Sequence, residues 1–120
     1  MSWYAARLIF QIRTGSEIHS NQFDESVRIF EARDLKEAYL KARHAGVADE
    51  SSFMNIHGEL VLWKFIDVNM VSEISSLCDG QEVFSNTLHE DQPSRYIQSV
   101  KRHAQRLHRA DSHETILAIE

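Results

Sequence analysis

Trp3-Tyr4-Ala5-Ala6-Arg7-Leu8-Ile9-Phe10-Gln11-Ile12-Arg13 is the stretch on which the fold turns. Its even positions, Tyr4, Ala6, Leu8, Phe10 and Ile12, are all apolar, while the odd ones mix Trp3 and Ile9 with Arg7, Gln11 and Arg13. A strand sends successive side chains to opposite faces, so this period of two predicts a β-strand with one sealed face and one less polar than open water requires. Thr14 to Asp24, with Gly15, Ser16, Ser20 and Asn21, reads as a polar loop. Glu25 to Ala32 alternates again, Val27 and Ile29 against Arg28, and predicts the second arm of a hairpin.

Asp34-Leu35-Lys36-Glu37 has the form of a capping box and opens a helix. Leu35, Ala38, Tyr39 and Ala42 supply its apolar stripe, Glu37 and Lys41 stand four apart as an ion pair, and Gly46 reads as the stop. Ser52 to Ile56, a His57-Gly58 corner and the run Glu59 to Ile74 predict a second hairpin. Val61, Trp63 and Phe65 alternate with Leu60, Leu62 and Lys64 until Asp67 and Asn69 break the pattern, which places a bulge or bend there. The Asp79-Gly80 turn then leads to a further strand over Glu82 to Leu88. Asp91-Gln92-Pro93 opens a second helix, along which Tyr96, Ile97, Val100, Ala104 and Leu107 recur at helical spacing. The resulting expectation is an α+β domain over residues 1–110, with an antiparallel sheet of four to five strands and two helices in the order β-β-α-β-β-β-α. A tail, 111–120, follows.

Of the 120 residues, 42% are hydrophobic and 26% charged, values that suit a folded globular chain rather than a disordered one. The sequence shows neither a leader pattern nor an apolar run of membrane-spanning length, so a cytoplasmic address is expected. Cys78 is the only cysteine, which rules out an internal disulfide and a multi-cysteine zinc site. The net charge of −5 is unevenly spread. Residues 93–110 carry Arg95, Lys101, Arg102, Arg106 and Arg109, two histidines and no acid, so a basic segment sits within an acidic chain.

Several strings are familiar as a set: Trp3-Tyr4-Ala5; Glu37-Ala38-Tyr39 with Ala42; Gly58-Glu59 with Val61, Trp63 and Phe65; and Asp79-Gly80 with Glu82-Val83-Phe84-Ser85. Over about residues 3–88 the chain resembles the bacterial domain-of-unknown-function 4288 family. The resemblance implies a small bacterial domain and brings no activity, cofactor or catalytic residue with it.

The chemistry-bearing residues are scattered. His19, His44, His57, His89, His103, His108 and His113 do not follow metal-ligand spacing, and no phosphate loop, serine elbow or zinc-protease motif is present, so neither metal nor cofactor is expected. Asp67 and Glu73 are acids within a strand, where an enclosed carboxylate serves as a general base; a site near Asp67 is therefore the enzyme alternative. Trp3 and Trp63 are candidate interface aromatics, and the odd positions of the first strand suggest a face left for a second subunit. The basic residues Arg95, Lys101, Arg102, Arg106 and Arg109 form a candidate nucleic-acid surface. The order helix, three strands, helix from Asp34 onward is superficially that of a double-stranded-RNA-binding domain, although the acidic whole and the extra hairpin argue against it. The expected role is a non-catalytic protein-interaction or regulatory module, of inhibitor or immunity type, that binds a protein partner or itself and has no membrane attachment. Nucleic-acid binding is the alternative, and an enzyme the third option.

Overall fold

The computed structural model describes residues 1–15 and 20–109. His19, His113 and the 111–120 tail lie outside the described residues. The chain forms two compact units, Met1–Ser85 and Asn86–Glu120.

The first unit is a four-stranded antiparallel sheet with one helix. Its elements are β1 (Ser2–Thr14), β2 (Gln22–Ala32), α1 (Leu35–Ala48), β3 (Ser51–Met54) and β4 (Leu60–Ile74), and the strand order is β2-β1-β4-β3. β1 is central, as its alternation requires. Tyr4, Ala6, Leu8 and Phe10 are buried beneath α1 with Ala32 and Phe65, packed against Ala38 and Ala42 of the helix. Phe10 packs against the rings of Phe65 and Trp63 at 5.5 and 6.3 Å between centroids. β2 begins three residues earlier than the alternation of Glu25–Ala32 indicates, because Gln22 and Phe23 continue the ladder opposite Ile12 and Gln11.

α1 starts where the capping box places it. Asp34 accepts a hydrogen bond from the Glu37 N–H at 2.8 Å, and Glu37 reaches back to the Arg33 N–H at 2.8 Å. The stripe differs from expectation in two places. Leu35 is 55% exposed. Gly46 does not stop the helix, which continues to Ala48 and is capped at Asp49. Gly46 is instead buried, and a Cβ built on it would lie 2.3 Å from a Phe65 ring carbon. The side chains that meet the sheet are thus the small ones at Ala38, Ala42 and Gly46, which let the helix axis come close. Lys41 donates to the Glu31 carbonyl at 2.6 Å, and Glu37 pairs with Arg33 instead of Lys41.

The β3–β4 corner forms as read. Gly58 takes a φ of +75°, and the Asn55 side chain accepts from the N–H groups of His57 and Glu59, both at 2.9 Å. The irregularity expected at Asp67–Asn69 is a pair of register shifts in β4, at which Ile66 and Asn69 have no partner on β1.

The strand expected over Glu82–Leu88 does not form, so the element order is β-β-α-β-β-α. The reason lies in the turn before it. A two-residue hairpin of the common type needs positive φ at both central residues, whereas here only Gly80 has it, at +83°. The Gln81 N–H donates to the Cys78 carbonyl at 3.0 Å and closes a turn of the type II kind, which splays the flanking chain rather than pairing it. The Gln81 side chain then fixes the segment locally, donating to Ser75 and accepting from Ser76. With that strand absent, the order after α1 is two strands and a helix, and the parallel with a double-stranded-RNA-binding domain does not hold.

In the second unit, α2 (Pro93–Arg109) begins at the expected proline, with the Tyr96 N–H donating to the Gln92 carbonyl. No helix among the described residues is long and apolar enough to cross a membrane.

Candidate functional site

The face of the sheet opposite α1 is built from the odd residues of β1 and β2. Its two halves differ. On the β4 side it is covered by the chain that follows Ile74. Arg7 donates to the Asn69 side chain at 2.9 Å and lies under the Phe84 ring, with 5.0 Å from guanidinium carbon to centroid, a cation–π arrangement. Ala5 and Ile74 are buried there.

On the β2 side the face is exposed among the described residues of the first unit. Phe23, Val27 and Ile29 stand in one row, exposed by 54%, 54% and 51%, with Glu25 and Glu31 at the remaining odd positions. Trp3 and Ile9, half-buried, extend the apolar surface onto β1. Such a row on an eleven-residue strand at the edge of a sheet is what a partner surface needs, since an edge strand also offers backbone hydrogen-bonding groups. Sequence reasoning identified the Trp3–Ile9 half and missed Phe23, which it assigned to the loop. The signal for it was present, since Phe23, Val27 and Ile29 alternate with Asp24, Ser26 and Arg28.

Around the same edge, on the α1 side, Phe30, Glu37, Leu40, Lys41 and His44 line a shallow cleft of about 310 Å³. Arg28 is held there by Asp49 at 2.6 Å and by the Ser26 hydroxyl at 3.3 Å, and its guanidinium lies 6.0 Å from the Phe10 ring centroid. β3 ends the sheet on the other side and is only four residues long. Beyond it, Glu50 accepts from the Phe65 N–H at 2.9 Å and pairs with Lys64 at 3.2 Å, so part of that edge is already occupied. These two donors hold the Glu50 carboxyl below the usual carboxylate range.

The other candidates are dispersed. Trp63 is on the α1 side, packed at the margin of the core, and so is separated from Trp3 by the thickness of the sheet. Asp67 accepts from the Val68 N–H at 2.7 Å and the Tyr39 hydroxyl at 3.2 Å and pairs with Arg43 at 3.6 Å. Both its oxygens are therefore engaged, and what the carboxylate does is tie β4 to α1. Of the described histidines, His44, His57, His89 and His108 are exposed and His103 is half-buried. No three His, Cys, Asp or Glu side chains converge on a metal-sized site among the described residues.

In α2, the 3.6-residue repeat brings Arg95, Arg102, Arg106 and Arg109 within about 60° of one another, opposite the stripe of Tyr96, Ile97, Val100, Ala104 and Leu107. Lys101 falls between the two. Arg95 donates to the Gln92 side chain and Arg109 to the Gln105 carbonyl. No described residue of α2 is buried.

Residues 3–85, almost the whole of the first unit, match the family described as Domain of unknown function (DUF4288). No curated protein and no solved structure matches the chain.

Proposed function

We propose that this chain, which belongs to the DUF4288 family, is a bacterial, cytoplasmic, non-catalytic protein-interaction module that binds through β2 and the adjoining open half of its sheet. One observation carries the reading: three large apolar side chains, Phe23, Val27 and Ile29, stand half-exposed in a row on a long edge strand. Their burial by a partner is favourable in proportion to the apolar area removed from water, and the strand edge adds backbone hydrogen bonds that fix orientation. The engagement of Asp67 by Tyr39, Arg43 and Val68 fits a structural carboxylate better than a general base. An inhibitor or immunity-type role is the form of binding that suits so small an acidic domain. The test is site-specific photo-crosslinking in the native host, with a photoreactive residue at Val27 and a control at the exposed Lys36 on α1. The expected result is a discrete protein adduct from position 27 and none from position 36. Equal labelling, or none, refutes the reading.

A second reading is favoured by the arginines of α2, which span about 21 Å of one helix side. A nucleic-acid backbone is the ligand such a stripe would meet. Titration of the full chain against duplex RNA and DNA at two salt concentrations decides it, because phosphate-led binding weakens steeply with salt. Absence of salt-sensitive binding removes this alternative.

A further inference from the structure

We infer that the partner of β2 is the β2 of a second copy of this chain, paired antiparallel about a two-fold axis at Ser26 so that two four-stranded sheets join into one of eight strands. The inference rests on the interaction reading above and adds the identity of the partner and the register.

A two-fold axis requires residue i to face residue j of the other copy with a constant sum, and side-chain alternation requires odd residues to face odd ones. Few registers remain, and the sequence of β2, Gln22-Phe23-Asp24-Glu25-Ser26-Val27-Arg28-Ile29-Phe30-Glu31-Ala32, separates them. With the axis at Ser26, Asp24 faces Arg28 of the second copy, and Arg28 faces Asp24. On the opposite face Phe23 meets Ile29 and Ile29 meets Phe23, while Glu25 and Val27 face each other nearer the axis. Two opposite-charge pairs and two apolar pairs form at once, the combinations that favour cross-strand pairing.

Neighbouring registers lose this complementarity. An axis at Val27 sets Asp24 against Phe30 and Phe23 against Glu31. One at Glu25 brings two glutamates face to face, and one at Arg28 brings two arginines together while Glu25 meets Glu31. Of the axes at Glu25, Ser26, Val27 and Arg28, that at Ser26 alone sets Asp24 against Arg28 and Phe23 against Ile29 together, with no like charges face to face.

The surroundings accommodate the pairing. Asp24, Ser26 and Arg28 are partly exposed along the α1 side, and Arg28 retains Asp49 as a second carboxylate. The Glu31 carbonyl, already taken by Lys41, lies outside the span from Phe23 to Ile29. The other edge of the sheet ends in the four-residue β3, so joining through β2 closes a dimer and does not propagate a fibre.

Sedimentation velocity of the full chain, with charge-reversal variants, tests the inference. The wild type is expected at twice its 13.9 kDa mass. Asp24→Arg and Arg28→Asp, each of which creates like-charge pairs across the axis, are expected to give monomers with unchanged far-UV circular dichroism. The double variant D24R/R28D is expected to restore the dimer. Because Arg28→Asp also removes the tie to Asp49, a second measurement avoids that residue. In a Cys78→Ser background, Ser26→Cys is expected to form an intermolecular disulfide under mild oxidation, while Val27→Cys is not. A wild-type monomer across a concentration series overturns the inference, as does a dimer indifferent to Asp24→Arg or one cross-linked as well through position 27 as through 26. If the protein is monomeric yet position 27 crosslinks to a different protein in the host, the second-copy inference fails and the interaction reading stands. A monomer with no adduct defeats both.

Discussion

Replacing Gly46 by alanine probes the contact that sets the distance between α1 and the sheet. In an exposed helix interior the change would stabilise by about 1 kcal/mol, since alanine is the better helix former. Here the new Cβ would stand 2.3, 2.4 and 2.7 Å from three carbons of the Phe65 ring, where ordinary contact begins at 3.4 Å. The ring cannot swing aside freely, because it packs against Phe10 at 5.5 Å within the core. The helix must therefore lift by about an ångström, and with three ring carbons inside 3 Å the overpacking cost falls at the upper end of the usual range, about 2–3 kcal/mol. Net of the helix-propensity gain, Gly46→Ala should lower stability by about 1–2 kcal/mol, or roughly 4–8 °C in Tm for each kcal/mol in a unit of this size. Urea unfolding followed by circular dichroism measures it. Phe65→Leu supplies the control: the smaller side chain makes room, so the loss on adding Gly46→Ala should shrink by about 1 kcal/mol or more in a double-mutant cycle. A Gly46→Ala protein as stable as the wild type, or an equal loss in both backgrounds, would show that α1 does not rest on Phe65 in the way described.

Asp34→Ala removes the acceptor for the Glu37 N–H and is expected to cost about 1 kcal/mol in the same assay. Glu37, through hydrogen bonds from Arg33, and Glu50, through those from Phe65 and Lys64, have carboxyl pKa values lowered by folding. A carboxyl depressed in the folded state adds stability that is fully present above its unfolded pKa and disappears as pH falls through the folded one, so the urea midpoint should drop from roughly pH 5 downward. The Glu37→Gln/Glu50→Gln variant should start lower at neutral pH and show a shallower acid decline. Asp67→Asn leaves the shape of the tie to Tyr39 and Arg43 but removes its charge; with both ionic partners about half exposed, only a slight fall in the urea midpoint is expected, and that fall should diminish further in high salt.

Much of the first unit was legible because its signals are local. The alternation of Tyr4 to Ile12 needs no knowledge of neighbours, and Asp34 with Glu37 announces a helix start by its own hydrogen-bonding geometry. What was misread depended on tertiary context. Gly46 near a helix end is most often a stop, and only the ring of Phe65, nineteen residues away, makes it a packing residue; the small residues at Ala38, Ala42 and Gly46 were the available hint. Glu82–Leu88 has strand-like composition, but pairing also requires a turn that returns the chain, and Asp79 does not adopt the positive φ that a two-residue hairpin would need. The candidate surface was half visible. Trp3 and Ile9 marked the open face, whereas the complementarity of Asp24 with Arg28 and of Phe23 with Ile29 acquires meaning only once the strand order places β2 at an edge.

The interruption of β4 shows how one irregularity serves both faces of the sheet. Were β4 a regular strand, the alternation that buries Val61 and Phe65 would carry on through Asp67 and Asn69, setting two polar side chains opposite Leu8 and Ala6 in the core, where an unmet carboxylate is severely penalised. Each register shift inserts one residue and flips the alternation. After the first, Val68 comes to face Leu8; after the second, Val71 faces Ala6, and the core beneath α1 remains apolar. The displaced polar residues are put to use: Asp67 reaches Tyr39 and Arg43, and Asn69 takes Arg7 on the far face. With Arg7 thus held beneath Phe84, the β4 half of that face is occupied by its own chain. Among the described residues of the first unit, the apolar surface left without such a cover is the one along β2, and for that reason the search for a partner should begin there.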